Sequence, residues 1–166
     1  MTNVIPLLMT LIGLVSIPTP KNYEEFKIAM LSEINGYRLQ GCNCGNVRMN
    51  PVPALTWNDA LAASAAEHAI DMYQLGYFDH KSKDGRNFSG RIKAKGYDWE
   101  LVAENIAFGQ KSIPQVVSAW MASPGHCRNV MNPSIKHMGV AKKGNYWVQD
   151  LGAPKSTGSN GRINLK

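Results

Sequence analysis

Residues 120–129 read Trp-Met-Ala-Ser-Pro-Gly-His-Cys-Arg-Asn, and the architecture turns on where that stretch breaks. Upstream of it, Ser112 is placed to cap a helix with Pro114 in its first turn and Val117, Trp120 and Met121 on one face. Pro124-Gly125 ends that helix. Immediately past the stop stand His126 and Cys127, an imidazole and a thiol delivered together at a helix boundary.

Downstream, Ile135 to Ala141 and Tyr146 to Leu151 read as strands around the turn Lys142-Lys143-Gly144-Asn145, and Ala103 to Phe108 is a third. From Pro154 the chain is rich in Ser, Gly and Asn and reads as a flexible tail to Lys166. In the other direction, Phe88 to Lys95 is a short helix stopped by Gly96, and His80 to Asn87 is a polar loop. Before that loop Asn58 caps an alanine-rich helix through Leu75, with Gly76 at the left-handed stop position. Its small side chains let neighbouring elements approach closely, which makes it central. Gly41 to Pro53 reads as a loop, and Tyr23, Phe26, Met30, Ile34 and Tyr37 recur at helical spacing behind acidic Glu24 and Glu25. Helices first and a small antiparallel sheet later give an α+β fold.

With 166 residues, 44% apolar and 18% charged, one domain with a sizeable core is expected. Lys and Arg exceed Asp and Glu by 18 to 12, a net charge of +6, which favours acidic surfaces or polyanions as partners. The first twenty residues carry no charged side chain. Val4 to Ile17 is apolar but shorter than the roughly 20 residues of a bilayer span, so no stable transmembrane span is read there. Residues 1–20 therefore read as a signal peptide or apolar N-terminal segment, residues 21–153 as the domain and 154–166 as the tail. Export places the protein outside the cell or in a periplasm.

Three cysteines, Cys42, Cys44 and Cys127, allow at most one intrachain bridge and leave one thiol over. A bridge between Cys42 and Cys44 is strained, so Cys127 pairs with one of them and ties an early loop to a late one. A structural zinc needs four ligands, and there is no second paired-cysteine motif.

Five segments occur in order: Tyr77-Phe78-Asp79-His80, Ala103-Glu104-Asn105-Ile106, Trp120-Met121-Ala122-Ser123, Pro124-Gly125-His126-Cys127 and Tyr146-Trp147-Val148-Gln149. Together they resemble the CAP superfamily of cysteine-rich secretory proteins, antigen 5 and plant pathogenesis-related proteins, whose module is also called the SCP domain. Trp120 to Asn129 resembles its bacterial branch, and the resemblance runs from Phe26 to Gly152. It implies a three-layer α-β-α sandwich, export, and a cleft built on two histidines and two acids. Position by position the histidines are His80 and His126, and the first acid is Glu104, preceded here by Ala103 where Gly is usual. The second acid falls on Ser123, which removes one negative charge.

Two imidazoles supply the nitrogen ligands that a divalent transition metal prefers, zinc foremost. Glu104 is either a third ligand, leaving an open position for hydrolysis, or the carboxylate that fixes one histidine's tautomer. The resemblance implies the second role; Ser123 can hydrogen-bond to His126 but cannot offset a dication. The main reading is an exported, non-catalytic binding domain whose cleft takes a divalent cation and a small-molecule, lipid or anionic ligand. The alternative is a metal-assisted hydrolase or protease using His80, His126 and Glu104, with Glu104 the catalytic base. A Ser123–His126–Glu104 triad lacks the glycine-flanked elbow that exposes a serine nucleophile. His126 and Cys127, being adjacent, diverge. His68 reads as a satisfied core histidine, His137 as solvent-facing, and the four tryptophans as core. Lys81, Lys83, Arg86, Arg91, Lys93 and Lys95 form a basic run opposed by Asp84, a solvated face or a rim for anions. Only Phe88 interleaves an aromatic, which speaks against nucleic acid.

Overall fold

The computed structural model describes residues 20–156. The proposed signal segment before Pro20 and the end of the tail after Ser156 lie outside the described residues. In chain order the elements are α1 (Pro20–Gln40), β1 (Cys42–Cys44), β2 (Val47–Met49), β3 (Thr56–Trp57), α2 (Asp59–Leu75), α3 (Phe88–Ala94), β4 (Trp99–Phe108), α4 (Ile113–Ala122), α5 (Pro124–Val130), β5 (His137–Lys143) and β6 (Tyr146–Pro154). No helix among the described residues is long and apolar enough to cross a membrane.

The main sheet runs β3-β5-β6-β4. β4, β6 and β5 are antiparallel neighbours, whereas the two-residue β3 adds in parallel to β5. Strand alternation sends one set of side chains to each face. Ala107, Met138, Val140, Trp147 and Leu151 pack against α1, α4 and α5. Ile106 and Val148 pack against Ala65, Ala69 and Met72 of α2. The result is the expected α-β-α sandwich. α2 lies so close to β5 that a Cβ on Gly139 would sit 2.0 Å from the Ala62 backbone nitrogen. The alanines of α2 permit that approach.

Local signals explain most boundaries. Asn58 caps α2 through its side chain, which accepts from the Leu61 N–H, and Gly76 ends it with φ of 64°. Ser112 caps α4. Four expectations change. The segment after Gly41 is not all loop, because β1 and β2 form a hairpin turning at Gly45. Pro124-Gly125 does not leave the helical region but opens α5, since proline at the first helical position loses no hydrogen bond that the helix needed. β6 continues to Pro154, and the Lys155 N–H donates to the Asp98 carbonyl at 3.0 Å, so the tail begins later than the sequence suggested. His137 begins β5 but is half-buried, its ring edge-on to Tyr97 with Nδ1 2.8 Å from the phenol oxygen.

Of two fully buried polar side chains, Arg38 and Asp150, the first ties the layers. Arg38 of α1, fully buried, donates to the carbonyls of Pro53 (2.7 Å), Val130 (2.5 Å), Asn132 (3.0 Å) and Ile135 (3.2 Å). Burial pulls its guanidinium down to about 10, so it stays charged at neutral pH. Asp150, also fully buried, stands directly opposite Glu104 in the β4–β6 register. Neither of its oxygens has a hydrogen-bond partner among the described residues. Burial, and next the Glu104 charge, hold Asp150 well above the usual carboxylate range.

Arg38→Leu should destabilise the fold by about 3 kcal/mol or more, because several buried carbonyls lose a charged donor. Arg38→Lys should recover little of this, since an ammonium cannot reproduce the fork. Urea unfolding measures both. Asp150 carries the opposite sign to an ordinary surface acid. A raised native pKa contributes stability below the unfolded value of about 4 and loses it as pH rises towards the native value. Asp150→Asn should therefore gain on the wild type as pH is raised above about 4. A constant stability difference across the pH series would contradict this.

Candidate functional site

β4 is an edge strand of the main sheet, and two consecutive residues on it organise what lies beyond that edge. Glu104 and Asn105 point to opposite faces, as neighbours on a strand must. On the α2 face, Glu104 Oε1 lies 2.8 Å from Nδ1 of His80, while Oε2 accepts from Arg91 at 2.5 Å. On the α5 face, Asn105 donates to the carbonyl of His126 at 3.3 Å and accepts from the Asn129 amide at 2.9 Å. It also donates to Gln149 Oε1 at 2.8 Å. Both histidine-bearing segments are thus held by one dipeptide.

The His80 loop is clamped from below. Asp79 Oδ1 accepts from the Lys81 N–H at 2.9 Å and closes a tight turn around His80. His68 of α2, fully buried, donates from Nε2 to the Asp79 carbonyl at 2.8 Å. Burial holds the His68 imidazole below its ordinary value, in keeping with a neutral ring in the core. Arg91 reaches up from α3 to the His80 carbonyl (3.0 Å), the Ser82 hydroxyl (3.0 Å) and the Arg86 carbonyl (3.3 Å). With Nδ1 held by a carboxylate, His80 presents a half-exposed ring whose Nε2 makes no protein hydrogen bond among the described residues.

His126 sits in the short helix α5, half-buried. Burial first, and then the neighbouring His80, lower its pKa, so it is neutral at pH 7 with a nitrogen lone pair to offer. Ser123 is at once the C-cap of α4 and the N-cap of α5, three residues before His126, and its hydroxyl does not cap α5. His80, Glu104 and His126 do not form a compact three-ligand cluster. Among the described residues, the one group of three donors within 4.8 Å of each other is Cys42, Cys44 and Cys127. Two of those thiols are spent in the Cys44–Cys127 disulfide, which selects between the two pairings the sequence left open. An apolar cavity of about 540 Å³ between α1, α2 and β5, lined by Tyr23, Phe26, Ala62, Ala66 and Val140, shares no residue with the histidine site.

Arg91 departs from the surface face expected of the basic run, for it is fully buried. Its spacing carries a signal, since Phe88, Arg91 and Ile92 fall on one side of α3. The rest of the basic run is largely engaged. Arg86 and Lys95 both pair with Glu67, Lys93 pairs with Asp98, and Lys83 lies over the Tyr77 ring. Trp120 and Trp147 are core as expected, whereas Trp57 and Trp99 are half-buried.

Known proteins match this arrangement. YkwD of Bacillus subtilis (strain 168), an uncharacterized protein, is 38% identical over 96 residues, 57% of this chain and 37% of YkwD. YlbC of the same organism, an uncharacterized membrane protein, is 31% identical over 97 residues, 58% of this chain and 28% of YlbC. The matched stretch therefore spans only about a third of either curated relative. Among solved structures, an outer surface protein of Borrelia burgdorferi superposes with a TM-score of 0.67 at 26% identity, covering 80% of this chain and 94% of that one. An extracellular SCP-domain protein of Bacillus anthracis str. Ames shares the fold with a TM-score of 0.67 at 23% identity, over 81% of this chain and 44% of that one. Residues 31–151 match the model of the family described as "CAP: Cysteine-rich secretory protein family", and the chain belongs to that family.

Proposed function

We propose that this chain is an exported CAP domain that binds rather than cleaves, with a divalent cation held between His80 and His126 and the remaining positions open to water or an anionic or lipid-derived ligand. The observation that carries the reading is the relay Arg91–Glu104–His80. A buried carboxylate on Nδ1 fixes the tautomer, so Nε2 of the half-exposed ring keeps its lone pair for a ligand. Imidazole donors suit zinc among the common divalent ions.

The same relay argues against the hydrolase alternative. Both oxygens of Glu104 are engaged and its charge is opposed by a buried guanidinium at 2.5 Å. With Oε1 on His80 and Oε2 on Arg91, neither oxygen is free to take a proton from water. Ser123 adds no charge to offset a dication, which points to modest affinity. Location outside the cell fits the similar structures, one an outer surface protein and another extracellular.

Zinc titrated calorimetrically near pH 7.5 should bind once, with His80→Ala and His126→Ala each removing most of the heat. Glu104→Gln should weaken binding about 10- to 100-fold, the usual cost of losing a carboxylate behind a ligating histidine. Binding should fade as the solution is acidified below about pH 6, because protonated imidazole is no ligand. Heat that survives both histidine variants would place the cation elsewhere. Hydrolysis of a peptide or ester panel that Glu104→Gln abolishes would overturn the binding reading in favour of an enzyme.

A further inference from the structure

Cys42 and Cys44 lie two residues apart on β1, so their side chains project from the same face of the strand. That face meets Cys127 of α5. Cys44 is bonded to Cys127, while Cys42 is free, with its sulfur 3.8 Å from the Cys127 sulfur. Because the Cys127 sulfur carries no hydrogen in the bridge, the Cys42 thiol is the donor in that contact. Cys44 and Cys127 are buried and Cys42 is half-exposed, so the third sulfur stands at the solvent side of the bridge.

We propose that these three sulfurs form a thiol–disulfide exchange site in which Cys127 is the shared partner and the bridge alternates between Cys44–Cys127 and Cys42–Cys127. The Cys42 thiolate attacks the Cys127 sulfur, the Cys42–Cys127 bond forms as the Cys44–Cys127 bond breaks, and Cys44 leaves as a thiolate that takes up a proton. One thiol and one disulfide stand on each side of the reaction, so no oxidant or reductant is consumed. Chain entropy does not choose between the pairings, because the closed loops have sequence separations of 85 and 83 residues and closure cost grows only with the logarithm of length. Local packing decides, and the two arrangements differ by one i, i+2 step along a three-residue strand in an exposed hairpin.

Burial raises the Cys42 thiol, opposed by the charge of Arg48. Exchange then proceeds through a minor thiolate fraction and accelerates in mild alkali. Cys127 adjoins His126, so the exchange re-anchors the helix that carries this imidazole. The sulfur chemistry stands apart from the cation reading, and its test contains no metal.

The full chain, purified without reductant, is incubated at about pH 8.5, quenched in acid and labelled with N-ethylmaleimide under denaturing conditions. Tandem mass spectrometry across Asn43 separates label on Cys42 from label on Cys44. Two populations are expected, one on each residue, reaching a fixed ratio at a rate independent of protein concentration. Label confined to Cys42 after prolonged incubation, label on Cys127, or a rate that rises with concentration would overturn the proposal. Cys44→Ser refolded with oxidised glutathione should form the Cys42–Cys127 bridge within one chain. A folded Cys44→Ser protein with two free thiols would equally overturn it.

Discussion

The site depends on a property of strands older than any chemistry placed on them: adjacent side chains leave a strand on opposite sides. Glu104 and Asn105 are adjacent on edge strand β4. One collects the His80 loop and α3 from the α2 layer, and the other collects α5 from the layer opposite. No loop–loop contact is needed to bring the two histidine segments to the same edge. A one-residue slip of β4 against β6 would exchange the two roles, aiming the carboxylate at α5 and the amide at His80. The nine paired positions between β4 and β6 make that slip costly, since Ile106 would leave the α2 core and lose its contact with Val148 at the same time.

Burying Glu104 is expensive unless its charge is met, and Arg91 meets it with both partners fully shielded. Such a pair contributes little net stability, so its value lies in where it holds things. The Arg91 fork spreads over the Glu104 carboxylate and three acceptors of the His80 loop, an arrangement that lysine cannot copy. Asp150 sharpens the point. It sits opposite Glu104 with no ion pair of its own among the described residues, and burial, followed by the Glu104 charge, drives its carboxyl towards the neutral form. Of the two facing carboxyls, Arg91 bonds to one alone.

Much of the layer order could be read from periodicity and caps. Asn58, Gly76 and Ser112 act through local hydrogen bonds that depend on a few neighbouring residues, and each stands where its residue type predicts. The misses share a cause. Pro124 is both a stop and a start, and proline signals alike in both roles, so α5 was hidden in a turn. β3 is two residues long and is defined by its parallel partner β5, which no local window contains. Arg91 and Asp150 were invisible as buried groups because their burial is conferred by long-range pairing. A charge run of six bases gave no sign that one of them faced inward, although the helical spacing from Phe88 to Ile92 did. The pairing of Cys127 was narrowed to two partners by strain and decided by the hairpin, which sets Cys44 deeper than Cys42.

The net charge of +6 has less to do with a ligand than composition implied. Arg38 and Arg91 spend their charges inside the fold, on carbonyls and on Glu104. Arg86 and Lys95 converge on the single carboxylate of Glu67, and Lys93 on Asp98. Exposed pairs of this kind are worth little in stability, but they cancel field at the surface beside His80. Among the described residues, Lys81 and Lys83 are left as the unpaired ammonium groups of that run, and Lys83 lies against an aromatic face. An anion approaching the histidine edge therefore meets a weak general field. That edge is held from beneath, by Arg91 on the His80 backbone carbonyl and by Asn105 on the His126 backbone carbonyl.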